Sequence, residues 1–188
     1  MARPKEFDRD EALDVAIGVF CEHGFAGTSA AMLTEAMKIG RQSLYDTFGD
    51  KWQLYCSALQ RYADVETQAH IAELRSGASA IEGIARMMAR VVTVAHQPCL
   101  GVGSVSEFGI GPDELVKLRS FPGALLRAAL AGNIGAAQAA GEMAADLDPE
   151  FVISFLISNI AALKLAARAG AGDAELQAMG KLALRALR

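Results

Sequence analysis

The feature that most constrains the fold is a helical period interrupted by turn residues at short, regular intervals. Between Asp10 and Gly24 the apolar residues Leu13, Ala16, Ile17 and Phe20 fall at i, i+3, i+4 and i+7. Asp10, Glu11 and Asp14 load the first turns with the negative charge that a helix N-terminus favours, and Gly24 predicts the stop. Thr28 is placed to N-cap a second, short helix through Ala36, with Met32, Leu33 and Ala36 facing inward. After the tight Met37-Lys38-Ile39-Gly40 turn, a third helix carries Leu44 and Phe48 inward. Two short helices about a brief Gly-containing turn make a helix-turn-helix. Asp50 caps a longer fourth helix, with Trp52, Tyr55, Leu59 and Tyr62 on its buried side, which runs to the Ser76-Gly77 break.

The remainder reads as helices too. Ser79 opens one with Ile81, Ile84, Met88, Val91, Val92 and Ala95 inward, closed by Pro98, and Leu100 to Gly111 is a short helix or loop. Pro112, Asp113 and Glu114 start a long helix reaching about Ala140, with a bend expected near Pro122-Gly123. Asp148-Pro149-Glu150 repeats the start signal for a helix to Ala169 that is apolar around most of its circumference, and Asp173 caps the last one. With 36 Ala, 6% aromatics and few β-branched runs, the chain favours helix over strand throughout. The expectation is an all-α protein of 188 residues, whose 52% hydrophobic content suffices for a core.

Composition limits the partners. Against 22 acidic side chains stand 18 Lys and Arg, a net charge of −4, so DNA binding would have to come from a local patch and not a global basic field. Cys21, Cys56 and Cys99 are odd in number and far apart, which fits a reducing cytoplasm and no disulfide framework. The charged N-terminus lacks a secretory apolar segment, and the stretch Phe151 to Leu163, 13 residues before Lys164, is short of the ~20 that a bilayer span requires. No membrane association is expected.

Several spaced elements line up: Ala12-Leu13 through Phe20, His23-Gly24-Phe25 with Thr28-Ser29, Ile39-Gly40 with Ser43-Leu44-Tyr45 and Phe48, then Asp50-Lys51. This order, over about residues 8 to 60, resembles the TetR (tetracycline-repressor) family of bacterial transcription regulators. The resemblance implies a three-helix helix-turn-helix DNA-binding domain at residues 1–50, and at 51–188 a helical domain for effector binding and dimerisation. It also implies a homodimer on a palindromic double-stranded DNA operator, and a small-molecule effector relayed through the fourth helix.

In a helix-turn-helix the second helix of the motif enters the major groove N-terminus first, so Arg41, Gln42 and Ser43 face base edges, with Asp46 and Thr47 one turn on. Gln42 can read adenine and Arg41 guanine. The resemblance assigns phosphate contacts to Thr28, Tyr45 and Lys51, and Arg3 and Lys5 in the N-terminal arm, with Arg9, are placed to add more. Tyr45 is equally suited to core packing. Asp46 can accept from a cytosine amino group or simply repel phosphate. Residues 1 to 55 hold six Lys and Arg against nine Asp and Glu, which predicts weak non-specific binding unless the acids lie away from DNA.

For the effector, Met88, Val91, Phe108, Phe121 and Leu125 are apolar candidates, as is Met87, with His96, Glu107 and Asn133 as polar ones. The all-round apolar helix predicts an antiparallel four-helix dimer interface of roughly 1,600 Å² using Phe151, Phe155, Asn159, Leu163, Leu176, Met179 and Leu187. His96-x-x-Cys99 offers two metal ligands where a site needs three or four, so no metal is expected. Gly101-Val102-Gly103-Ser104 matches neither a GxSxG nor a P-loop spacing, so neither an enzyme nor a cofactor is expected. A helical interaction module that has lost DNA binding is the competing reading.

Overall fold

The computed structural model describes residues 7–188, so Arg3 and Lys5 lie outside the described residues. Asp8 starts the first helix, α1 (Arg9–Gly27), by accepting at Oδ1 from the backbone N–H groups of Asp10 at 2.7 Å and Glu11 at 3.0 Å. Gly24 does not end α1 as the sequence suggests. It breaks the helix at φ 68° and ψ 177°, and one further helical turn follows to Gly27. That backbone geometry is essentially restricted to glycine.

The second helix, α2 (Ala30–Met37), is capped by Ser29, whose Oγ accepts from Met32 N, and not by Thr28. Thr28 is only 2% exposed and donates its hydroxyl back to Gly24 O at 2.6 Å, which leaves the cap to its neighbour. Lys38 closes α2 in the left-handed region, and α3 (Arg41–Phe48) follows. Asp50 caps α4 (Lys51–Ser76) by accepting from Gln53 N at 2.8 Å. Beyond it come α5 (Ala80–Thr93), α6 (Leu100–Phe108), α7 (Asp113–Ala139), α8 (Pro149–Arg168) and α9 (Asp173–Arg185). The described residues contain these helices and no strand. The stretch from Leu100 is a true helix, capped by Cys99, whose Sγ accepts from Val102 N.

By packing the described residues divide into two compact units, 7–65 with 98–119, and 66–97 with 120–188. The cuts pass through α4 and α7, so α6 and the start of α7 belong with the helix-turn-helix. In the first unit Leu13, Ala16 and Phe20 of α1 meet Leu33, Leu44, Leu54 and Leu59 in one buried cluster, with Leu100 and Leu115 closing it. Complete burial of such side chains stabilises by about 1.5–3 kcal/mol each.

In the second unit Ile84, Met87, Met88 and Val91 of α5 pack with Leu130, Ile134, Ile153, Leu156, Leu163 and Leu176. Asn133 donates to Leu74 O and Ala80 O at 3.1 and 3.2 Å, and so joins helix ends instead of offering itself to a ligand. Helix α8 continues past Lys164, which is buried and donates to Val94 O and Gln97 O beyond the end of α5. At 20 residues it is therefore long and apolar enough to cross a bilayer by length and composition, where the sequence suggests a shorter apolar stretch. A third of that window is buried inside the protein.

Candidate nucleic-acid interface

Helix α3 carries its apolar residues Leu44 and Phe48 into the core and leaves Arg41, Gln42 and Asp46 exposed, with Ser43, Tyr45 and Thr47 half-buried at the edges. Leu44 and Phe48 are thus core residues, and they fix which way the polar face turns. On that face Gln42 Nε2 donates to Asp46 Oδ1 at 2.8 Å. The Arg41 guanidinium lies 5.7 Å from the centre of the Tyr45 ring, one turn along. Each of these i,i+4 pairs restricts a long side chain before any partner arrives.

Lys51 is engaged inside the unit. Its Nζ donates to Phe25 O and Thr28 O, both at 2.9 Å, and lies 4.2 Å from the centre of the Phe25 ring. Together with the inward hydroxyl of Thr28, this ammonium fixes the turn that leads into α2. Both polar groups support the frame from within, whereas the residues at the start of α3 stand outside it.

The acids of α1 are largely accounted for. Arg61 of α4 grips Asp14 with two hydrogen bonds, at 2.6 and 2.8 Å, and reaches Asp10 at 3.1 Å. Arg61's hydrogen bond, helped by its charge and opposed by burial, lowers the Asp14 pKa. The N–H groups of Glu11 and Asp10 likewise lower that of Asp8. Asp8, Asp10 and Asp14, like Asp50 at the start of α4, thus work within the protein.

The expected effector residues are scattered in their roles. Met88 and Val91 are core residues of the second unit. His96 pairs with Asp173, Nε2 to Oδ1 at 3.1 Å, on the surface. Leu125 is half-buried and Phe121 is 65% exposed. Phe108 packs against Phe25, Trp52 and Tyr55, with ring centres 5.6 to 5.7 Å apart. Glu107 accepts from the backbone of α1, a role with no local signature in the sequence. In the second unit a groove of about 300 Å³ between α5 and α9 is lined by Met88, Val92, Gly180 and Leu184 with Lys181 at its edge. Among the described residues, no cluster of three or more His, Cys, Asp and Glu is arranged to hold a metal.

The expected dimer residues also separate. Leu163 and Leu176 are buried in their own chain's core, because the inward arcs of α8 and α9 face α5 and each other, and Leu187 is buried with them. Phe151 and Phe155 are 76% and 39% exposed, with Asn159 and Met179 half-buried. Phe151, Phe155, Ser158, Ala162 and Leu165 form an exposed stripe along α8, and Ala174, Ala178 and Leu182 form one along α9. Leu165 and Leu182 take the outward places that the sequence suggests for Leu163 and Leu176.

Comparison with known proteins agrees with this architecture. Residues 12–57 match the bacterial regulatory proteins of the tetR family. The chain is 30% identical over 189 residues to the HTH-type transcriptional repressor ComR of Escherichia coli (strain K12), covering 97% of this chain and 90% of that one. It resembles the TetR family transcriptional regulator CifR, a cysteine mutant complexed with 26-bp double-strand operator DNA, at 32% identity and a TM-score of 0.80 over 99% of this chain and 100% of the other. A TetR regulator from Agrobacterium tumefaciens shares the fold at a TM-score of 0.83 and 20% identity, covering 95% and 96%. With its helix-turn-helix, its polar α3 face and this full-length likeness, the chain belongs to the TetR family of bacterial transcription regulators.

Proposed function

We propose that the protein binds a palindromic DNA operator as a homodimer, represses transcription from it, and is released or recruited by a small molecule. Residues 1–50 form the DNA-binding domain and 51–188 the effector-binding and dimerisation domain. The observation that carries the reading is the division of α3 into an apolar face held by Leu44 and Phe48 and an outward face of Arg41, Gln42, Ser43, Tyr45, Asp46 and Thr47. A helix so mounted enters a major groove by its first turn, where Gln42 and Arg41 meet base edges. Asp46 and Thr47 follow one turn on, Tyr45 lies at the edge for a phosphate contact that sets register, and Thr28 and Lys51 hold the start of α2 in place.

One helix-turn-helix reads too little DNA alone, and two on a two-fold axis present their reading helices about 34 Å apart. The exposed stripes of α8 and α9 are the surfaces that support pairing. Against another copy they bury the apolar face that makes α8 resemble a membrane span.

The test is selection of genomic fragments on the ligand-free protein, with Gln42→Ala/Tyr45→Ala alongside. An enriched palindrome that the double variant fails to recover is the expected result. Recovery of no sequence by either protein favours an interaction module that has lost DNA binding.

A further inference from the structure

The break in α1 at Gly24 creates a second helix start inside the first unit. A helix start leaves backbone N–H groups without carbonyl partners four residues back. Here Phe25 N donates to Glu107 Oε2 at 2.8 Å and Ala26 N to Glu107 Oε1 at 2.7 Å. The acceptor lies on α6, more than 80 positions away in sequence. One carboxylate bonds both N–H groups, and ionised acceptors make the stronger hydrogen bonds. A Cβ on Gly24 would sit 3.2 Å from the same Oε2, so the break and the carboxylate fit each other closely.

The path of the chain beyond Ala26 depends on that turn. Thr28 bonds back to Gly24 O, Lys51 holds Phe25 O and Thr28 O, and Ser29 then caps α2. The same C-terminal half of α6 is tied to α7. Arg119 donates from Nη1 to Gly109 O at 2.8 Å, and from Nη2 to Ser104 O and Oγ at 2.9 and 2.7 Å. Glu107 therefore joins a secured helix to the one turn that sets where α2 begins.

We propose that Glu107 is a positioning residue for DNA binding: from α6 it holds the broken end of α1, and through it α2 and the reading helix α3, so that movement of α6 is felt at the DNA face. The contact itself is independent of the function proposed above, and its consequence rests on that reading. Glutamine at 107 keeps one acceptor oxygen and loses the other, whereas alanine loses both.

The experiment uses the full chain as wild type, Glu107→Gln and Glu107→Ala. Amide exchange at Phe25 and Ala26, thermal unfolding and affinity for the selected palindromic duplex are measured on each. Exchange about tenfold faster at both amides in the alanine variant, with duplex affinity down by about tenfold and the melting temperature little changed, is expected. The glutamine variant falls between, and it decides the matter alone should alanine prevent folding. Unchanged exchange, or faster exchange with unchanged duplex affinity, overturns the proposal. So does a loss of affinity that merely tracks a loss of melting temperature. A selection that yields no duplex overturns the functional reading as well, whereas a duplex bound equally by wild type and Glu107→Gln overturns this proposal only.

Discussion

Gln42 donates its side-chain amide to Asp46 across one turn of α3, so the two residues on the outer face act as a unit. The carboxylate orients the amide and also places a negative charge where phosphates would approach. Asp46→Ala is therefore expected to tighten binding to scrambled duplexes by roughly three- to tenfold at low salt, by removing that charge. It is also expected to reduce discrimination at the base that Gln42 meets, within the ~1–3 kcal/mol that a bidentate contact supplies. Titration of selected and scrambled duplexes checks both, and an unchanged ratio of the two affinities counts against the pairing.

Lys51 distinguishes support from direct phosphate contact. Its two hydrogen bonds to backbone carbonyls are charge-assisted, so Lys51→Met is expected to lower stability by about 1.5–3 kcal/mol. The dependence of DNA affinity on salt should stay the same. Were Lys51 bound to a phosphate instead, its replacement would reduce that slope by ~0.9. A shallower slope with unaltered thermal stability is the contrary result.

His70 should show itself in the pH dependence of stability. Burial, followed by the charge of Arg90, brings its pKa down from 6.5 to about 4. Between those values the unfolded chain holds the proton and the folded chain does not, so stability is full above pH 6.5 and falls as pH falls toward 4. The fall attributable to this group is roughly 3 kcal/mol. Denaturant unfolding at about pH 7.5 and about pH 4.5, either side of most of that window, is expected to show a smaller drop for His70→Gln than for wild type. Equal drops would exclude the imidazole as the cause.

Phe151 and Leu182, at 76% and 61% exposed, can be changed without opening the chain's own core. Phe151→Glu with Leu182→Glu is expected to give a monomer by light scattering at micromolar concentration, with helix content retained and palindrome binding lost. A dimer that survives both charges would place the interface elsewhere.

Helix starts with a polar cap are legible directly in the chain, as Asp50 and Ser79 show, because the capping atom and its N–H partner are three residues apart. Thr28 and Ser29 are adjacent and chemically equal as caps, and only the burial of Thr28 decides between them. Leu163 and Leu165 present the same difficulty on α8: when a helix is apolar all round, its period does not say which arc its own core will cover. Glu107 is beyond any local pattern, since its partners are N–H groups exposed by a break at Gly24 that the sequence presents as a stop. Asn133 misleads in the opposite way, as a polar residue among apolar ones whose partners are carbonyls at the ends of neighbouring helices.

The aromatic cluster around Phe25 has an optical consequence. The chain's one tryptophan, Trp52, stands in it, its indole N–H bonded to Glu114 at 2.7 Å and its ring 5.4 Å from Phe25 and 5.6 Å from Phe108. Those neighbours come from the restarted turn of α1 and from α6, and Glu114 comes from α7. Any rearrangement among these helices alters the polarity and the hydrogen bond that a single indole senses. The protein thus carries a built-in fluorophore where three other helices meet α4, readable without a label.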